Sequence, residues 1–382
     1  MKAALLIVPA LGISILGAQA PAPARIQLPS GLTASLWEDH EAPLIRLEGL
    51  LPIRAEEVPA HLPGLPALLL ATLEAGPKGN RSASEFQALL DRSGIRMELT
   101  LDPRGLRLSM ACRSRDQELA FGLLGDLLGR SPLDPDALEP QRLRIHHRPA
   151  PSEATDQFLA RVSGSILLQP PEATLARASL ADLESLLHRI CRPDRLRLHI
   201  QGDLNPAQAT QRLLLDLGAW SPAPASAPPP GETPSADTKV EQAGPGELLV
   251  AFPAPLPEEP ATPLLEILLA RRLEGHGLPG DPWHLHFQGE TPQALLASLQ
   301  ARLADLTFTD AELAAAQKLW KGRQALLPLD PGAALQARLR GLPAPADVAK
   351  LTRTEVEIAL KALLSRGRKL WRGDAAWLKT VS

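Results

Sequence analysis

The sequence predicts an α+β fold made of two copies of one lobe, each an antiparallel-rich sheet packed with helices, the second copy shortened. Three observations predict it. Segments of period-two alternation and segments of helical spacing follow one another from residue 25, stop in a Pro- and Ala-rich stretch at 221–246, and resume in the same order. Landmarks recur at a near-constant interval. Gln117 and Gln293 each open an Ala/Leu helix, Gln141-Arg-Leu143 and Gln317-Lys-Leu319 lie the same distance apart, and Gly202-Asp203 and Gly373-Asp374 are separated by slightly less. The length of 382 residues allows two or three domains at roughly 150 residues each, and 45% hydrophobic content is enough for more than one core.

The chain opens with Lys2 and an apolar run from Ala3 to Leu16, followed by Gly17-Ala18-Gln19-Ala20. This pattern predicts a signal peptide over 1–24, cut near 20–24, and an extracytoplasmic (periplasmic or secreted) mature protein. The run falls short of the roughly 20 residues that span a bilayer, and no later stretch qualifies, so no membrane span is expected after signal removal.

The first lobe is expected over 25–220. Leu32, Ala34 and Leu36 alternate as a strand, and Leu44 to Leu51 reads as its return. Gly64 to Leu73 is apolar nearly all round, which predicts a helix buried on every side. Ser82-x-x-Glu85 is a capping box for a helix that Gly94 ends. Ile95 to Leu101 and Leu106 to Cys112 alternate around the hairpin signal Asp102-Pro-Arg-Gly105. Ser114-x-x-Gln117 is expected to cap the next helix, and Asp134-Pro135 to open another. A helix near Leu180–Ile190, a strand through Leu196, Leu198 and Ile200, and a helix opened by Asn205-Pro206 complete the lobe.

Residues 221–246, with Pro228-Pro229-Pro230, read as a linker because such composition buries no core. The shortened second lobe, 247–382, carries a strand near Leu248–Phe252 and a helix from Thr262-Pro263 to Leu273. A strand through Trp283, Leu285 and Phe287 follows, then a helix opened by Thr291-Pro292, one capped by Thr309-x-x-Glu312, and a strand Arg368–Arg372.

Composition narrows the function. A net charge of −3 argues against a nucleic-acid or anionic-lipid partner. There is no Tyr, so no mechanism uses a phenol. Cys112 and Cys191 fit no structural metal spacing and read as buried thiols, although an oxidising compartment would permit a disulfide. His146-His147 point about 100° apart on a helix and read as a solvated helix end. His284 and His286 share one strand face and read as surface or inter-lobe residues. Ser163-Gly164-Ser165 forms no nucleophile elbow, and no phosphate-binding loop occurs.

Several segments together carry a resemblance: Leu28-Pro-Ser-Gly31-Leu-Thr33, Gly64-Leu-Pro-Ala-Leu-Leu-Leu-Ala-Thr-Leu73, Arg81-Ser-Ala83, Pro132-Leu-Asp-Pro-Asp-Ala-Leu-Glu139, and Arg192-Pro-Asp194 running into Gly202-Asp203. Thr309-Asp-Ala-Glu-Leu313 and Leu351-Thr-Arg-Thr-Glu-Val356 follow in the second lobe. In this order they resemble the insulinase/pitrilysin peptidases of the processing-peptidase type, over nearly the whole mature chain. The resemblance implies a zinc site on the buried first-lobe helix, H-x-x-E-H, with a third ligand on a later helix and an Arg and a Tyr from the second lobe. Here the motif positions read Ala67, Leu70 and Ala71, the third-ligand region reads Arg144-Ile-His-His-Arg148 without Glu, and no H-x-x-E-H or H-E-x-x-H occurs anywhere. The expectation is therefore no catalytic residue, no metal and no cofactor. It is a non-catalytic insulinase-like subunit that pairs with an exported, zinc-bearing homologue as a heterodimer and helps form a chamber for peptides or unfolded segments. Two other readings follow from the same residues: a zinc metallopeptidase in its own right, which whole-chain resemblance alone would suggest, and a stand-alone periplasmic peptide-binding or scaffold protein.

Overall fold

The computed structural model describes residues 23–146, 153–221, 237–253, 259–270, 283–327 and 330–381. Most of the expected signal segment, most of the expected linker, His147 and the end of the helix foreseen to Leu273 lie outside these residues.

In the first half, β1 (Ala24–Gln27), β2 (Thr33–Glu38) and β3 (Leu44–Pro52) precede α1 (Leu65–Ala75) and α2 (Ala83–Ser93). The hairpin β4 (Arg96–Asp102) and β5 (Gly105–Arg113) leads to α3 (Gln117–Gly129), α4 (Pro135–His146), α5 (Glu153–Ser163), α6 (Glu172–Arg177) and α7 (Leu180–Ile190). Then come β6 (Arg197–Gly202) and α8 (Pro206–Leu217). The sheet order is β1-β2-β6-β3-β5-β4, with β2 and β6 parallel and every other pair antiparallel.

The second half runs β7 (Asp237–Glu241), β8 (Gly246–Phe252), α9 (Thr262–Leu269), β9 (Trp283–Gly289), α10 (Pro292–Ala304), α11 (Asp310–Leu326) and α12 (Pro331–Leu339). It ends with α13 (Pro345–Ala349), α14 (Arg353–Ser365), β10 (Arg368–Gly373) and α15 (Ala375–Lys379). Its sheet order, β7-β10-β8-β9, repeats β2-β6-β3-β5 strand for strand, again with only the first pair parallel. Among the described residues, five α-helices separate the last two strands of each sheet in chain order, α3–α7 in one and α10–α14 in the other. This is the duplication that the recurring landmarks foretold. Among the described residues the second copy has no counterpart of β1, α2 or β4, which is the shortening.

Alternation decides which sheet face is inward. Ile45, Leu47 and Leu51 of β3, Leu106, Leu108, Met110 and Cys112 of β5, and Leu198 and Ile200 of β6 join α1, α3 and α7 in one core. Leu248, Val250, Phe252 and Trp371 join α9, α11 and α14 in the other. Two elements depart from the sequence reading. β7 falls inside the stretch read as linker, because five residues leave too little alternation to stand out beside a Pro-rich run. Ser114 does not cap α3: residues 114–116 form a single 3-10 turn and α3 begins at Gln117 without a side-chain cap.

Each sheet's remaining face is covered by a helix from the other half. α12 lies across β3 and β6, with Leu335 fully buried, and α5 lies across β8 and β10, where Phe158, Leu159 and Val162 meet Leu249, Ala251 and Leu370. The seam under α12 is polar. Glu48 of β3 is buried, accepts from Arg107 Nε at 3.1 Å and from Gln336 Nε2 at 3.4 Å, and stands opposite His199 of β6. Arg338 donates to Gln201 Oε1 at 2.8 Å and lies 4.5 Å from the centre of the Trp37 ring.

Candidate functional site

α1 carries the positions where the resemblance implies a zinc motif. Gly64 caps its start in the left-handed region (φ 79°), where a Cβ would sit 2.5 Å from Pro170 Cα, so only Gly lets the helix begin against that backbone. Thr174 of α6 donates to the carbonyl of Pro63 at 2.8 Å and ties the entry loop down. At the other end the buried Lys78 ammonium donates to the carbonyls of Leu73 (2.7 Å), Glu74 (3.3 Å) and Gly76, satisfying the last turn. Burial pulls the Lys78 pKa down to about 8. The carbonyl cage and the helix end account for this lysine structurally.

The helix is not buried on every side, as its composition had implied. Ala67, Leu70, Ala71 and Glu74, spaced i, i+3, i+4, i+7, form one stripe that faces a cavity of about 580 Å³. Leu99, Thr100 and Leu101 of β4, Arg144 and Ile145 of α4, and Leu168–Pro170 with Glu172 and Leu175 complete its lining. The three motif positions and the third-ligand region thus converge on one space. Their side chains do not suit zinc: two methyls and an isobutyl supply no donor atom, and Arg144 brings a cation. Its guanidinium lies 3.8 Å from Glu74 Oε2 at the rim. Among the described residues no three His, Cys, Asp or Glu side chains are gathered as a metal site would need.

The cavity is of mixed polar and apolar lining and lies beside the edge strand of the sheet. β4 ends the sheet; its inner edge pairs with β5 and its outer edge has no strand partner among the described residues. Such an edge offers alternate backbone donors and acceptors of the kind an extended chain can pair with.

The other singled-out residues lie elsewhere. Cys112 and Cys191 are free thiols, the first buried on the inward face of β5, the second donating to the Leu128 carbonyl at 3.2 Å; burial raises them to about 11 and about 12. His284 and His286 point away from Trp283 and Leu285, and His286 Nε2 is 3.5 Å from Glu247 Oε2 on the adjacent strand. Ser163 ends α5 and bonds to Ser165 and to carbonyls of its own helix. The sequence reading missed the polar seam: strand pairing gathers Glu48, Arg107 and His199 from distant parts of the chain, and the crossing of α12 adds Gln336 and Arg338. Burial, with the nearby arginines Arg338, Arg197 and Arg25, lowers the His199 pKa to about 4.

No family sequence model and no curated protein sequence matches the chain. Solved structures do. A protease from Helicobacter pylori is similar at 14% identity over 93% of this chain and 100% of its own, with a TM-score of 0.71. A peptidase M16 inactive domain from Pseudomonas fluorescens is similar at 16% identity over 92% and 98%, with a TM-score of 0.66. The periplasmic protease PqqL from Escherichia coli is similar at 11% identity over 95% of this chain but 49% of its own length, with a TM-score of 0.63, so the chain spans about half of PqqL. At these identities the likeness shows the fold alone: the chain has the fold of these peptidase structures, and Ala67, Leu70 and Ala71 stand on its cavity wall.

Proposed function

We propose that this chain is a catalytically inactive insulinase-like subunit that binds an extended peptide along β4 and pairs with an exported, zinc-bearing homologue to enclose it. The observation that carries the reading is the cavity itself: the three motif positions open onto it, offer only apolar surface, and adjoin a free strand edge. The inactive M16 domain supports a non-catalytic role, and the match to half of PqqL supports pairing with a second unit of the same size. The N-terminal pattern and the periplasmic setting of PqqL support an extracytoplasmic location.

The test is affinity purification of the tagged mature chain from its host, followed by mass spectrometry and metal analysis. A near-stoichiometric exported homologue bearing H-x-x-E-H is the expected result. Recovery of the chain alone overturns pairing and leaves a stand-alone peptide binder. One equivalent of zinc in the isolated chain, with chelator-sensitive peptide hydrolysis, overturns the non-catalytic role.

A further inference from the structure

We infer that the seam under α12 is a clasp between the two halves that opens on acidification: a proton on His199 detaches α12 from the first sheet, while α5 stays on the second sheet as the pivot. The device needs no bound peptide.

The duplication shows that the fold does not demand polar groups at this place. Counted back from the recurring Gly-Asp, His199 occupies the position of Leu370. Its partner across the ladder, Glu48, occupies the position of Leu249, which is the partner of Leu370. Leu249 and Leu370 meet Phe158 of α5 in an apolar contact. In the first copy the same two positions carry an imidazole and a buried carboxylate under α12. That exchange gives up the hydrophobic gain its counterpart keeps and makes the contact depend on charge.

Beside Leu335, α12 holds this face through two polar contacts. Gln336 Nε2 donates to Glu48 Oε1, and Arg338 donates to Gln201 Oε1 while it rests on the Trp37 ring. His199 stands among these groups. Its ring centre is 5.4 Å from that of Trp37, and Gln201 lies two residues along the same strand face. Its Nδ1 is shut off from solvent without a hydrogen-bond partner. Both Glu48 oxygens are already engaged, one by Gln336 and the other by Arg107. The other charges facing the ring are cations: Arg338 of α12, Arg197 on its own strand, and Arg25 of β1, in the same cross-strand row through Ser35 of β2. A proton on the imidazole therefore adds a cation among arginines and an N–H donor for which Glu48 is the acceptor at hand. The imidazolium repels Arg338 and competes with Gln336, so both polar contacts of α12 weaken together. The contact of Phe158, Leu159 and Val162 with the second sheet carries no titrating side chain. His40, bridged by Glu38 and Asp203, gains from its proton and acts in the opposite sense.

The test is hydrogen exchange by mass spectrometry on the full chain, corrected for the intrinsic pH dependence, comparing peptides from α12 with peptides from α5. A helix of nine residues does not persist once it leaves the sheet, so release shows as lost protection. With an ordinary imidazole pKa of 6.5 in the open state and a lower one in the closed state, α12 should lose about tenfold in protection between about pH 7.5 and 5.5 while α5 keeps its own. His199→Gln, and Glu48→Leu combined with His199→Leu to copy the second seam, are expected to hold α12 protection constant over that range. No loss at α12, an equal loss at α5, or a loss that either variant retains overturns the clasp. The unmodified chain decides the matter where the variants do not fold. A one-proton slope in the logarithm of protection that sets in near pH 6.5 supports the clasp, and a decline confined to below about pH 4.5, where ordinary carboxylates take up protons, overturns it.

Discussion

Phe158→Ala tests whether the exchanged helices hold the two halves together. Phe158 belongs to α5, in the first half of the chain, yet its ring is only 6% exposed because it packs on Leu249, Ala251 and Leu370 of the second sheet. An aromatic side chain of roughly 150–250 Å², at about 25 cal/mol per Å², contributes about 4–6 kcal/mol. Measured Phe→Ala losses of roughly 3–5 kcal/mol are in the same range. The loss should fall on the second sheet, whose outer face α5 covers, and only weakly on the first. With slopes of about 1–3 kcal/mol per molar urea, the second-half transition should move down by about 1–5 M. Urea titration followed by Trp fluorescence reads the shift, since Trp283, Trp320, Trp371 and Trp377 lie in the second half and Trp37 and Trp220 in the first. Hydrogen exchange resolved by peptide then compares β8 and β10 with β3 and β5. A negligible midpoint shift, or protection lost equally in both sheets, would refute the reasoning. Leu143→Ala, at a position 62% exposed, is the control and should change stability by less than about 0.5 kcal/mol.

Three further outcomes are expected. Gly64→Ala forces a Cβ against Pro170 at a left-handed position, so stability should drop by about 1–3 kcal/mol in a thermal melt and peptide retention should fall with it; an unchanged melt would contradict the tight entry to α1. His199 has a folded pKa of about 4 against an ordinary 6.5, so the unfolded chain takes up the proton first: its contribution is complete above pH 6.5 and is lost as pH falls toward 4. Discounted for solvent screening, that is about 2 kcal/mol, and His199→Gln should flatten the wild-type decline in urea stability between those pH values, with identical slopes as the contrary result. Rebuilding the motif with Ala67→His, Leu70→Glu and Ala71→His should give at most weak zinc retention by metal analysis, because Arg144 brings a cation into the cavity and lies against Glu74; adding Arg144→Glu from the opposite wall should raise it, and tight binding without that change would mean that the cavity is lined differently.

Local signals reported local structure well. The capping boxes at Ser82 and Thr309 and the Asp102–Gly105 hairpin are where their residues put them, since each is decided by side chains within a few positions. Positions 67, 70 and 71 share one helix face on the cavity, because a helix face is set by its own period. The features that escaped depend on partners distant in sequence. α5 and α12 each carry an apolar face, through Phe158 and Leu335, but nothing within either helix says that the sheet it covers belongs to the other half. β7 is recognisable only from its pairing with β10, more than a hundred residues later.

The mutual covering of the two sheets also bears on ancestry. A single lobe of this topology, made as a separate chain, would have one face of its sheet bare and a helix with nothing of its own to cover. Two such chains would satisfy each other by exchanging those helices in an isologous pair. Joining the copies in one polypeptide turns that bimolecular encounter into an intramolecular one, with a high effective concentration and no dilution limit. Once joined, the copies are free to diverge, so the second could shed strands without losing the partner that closes its sheet.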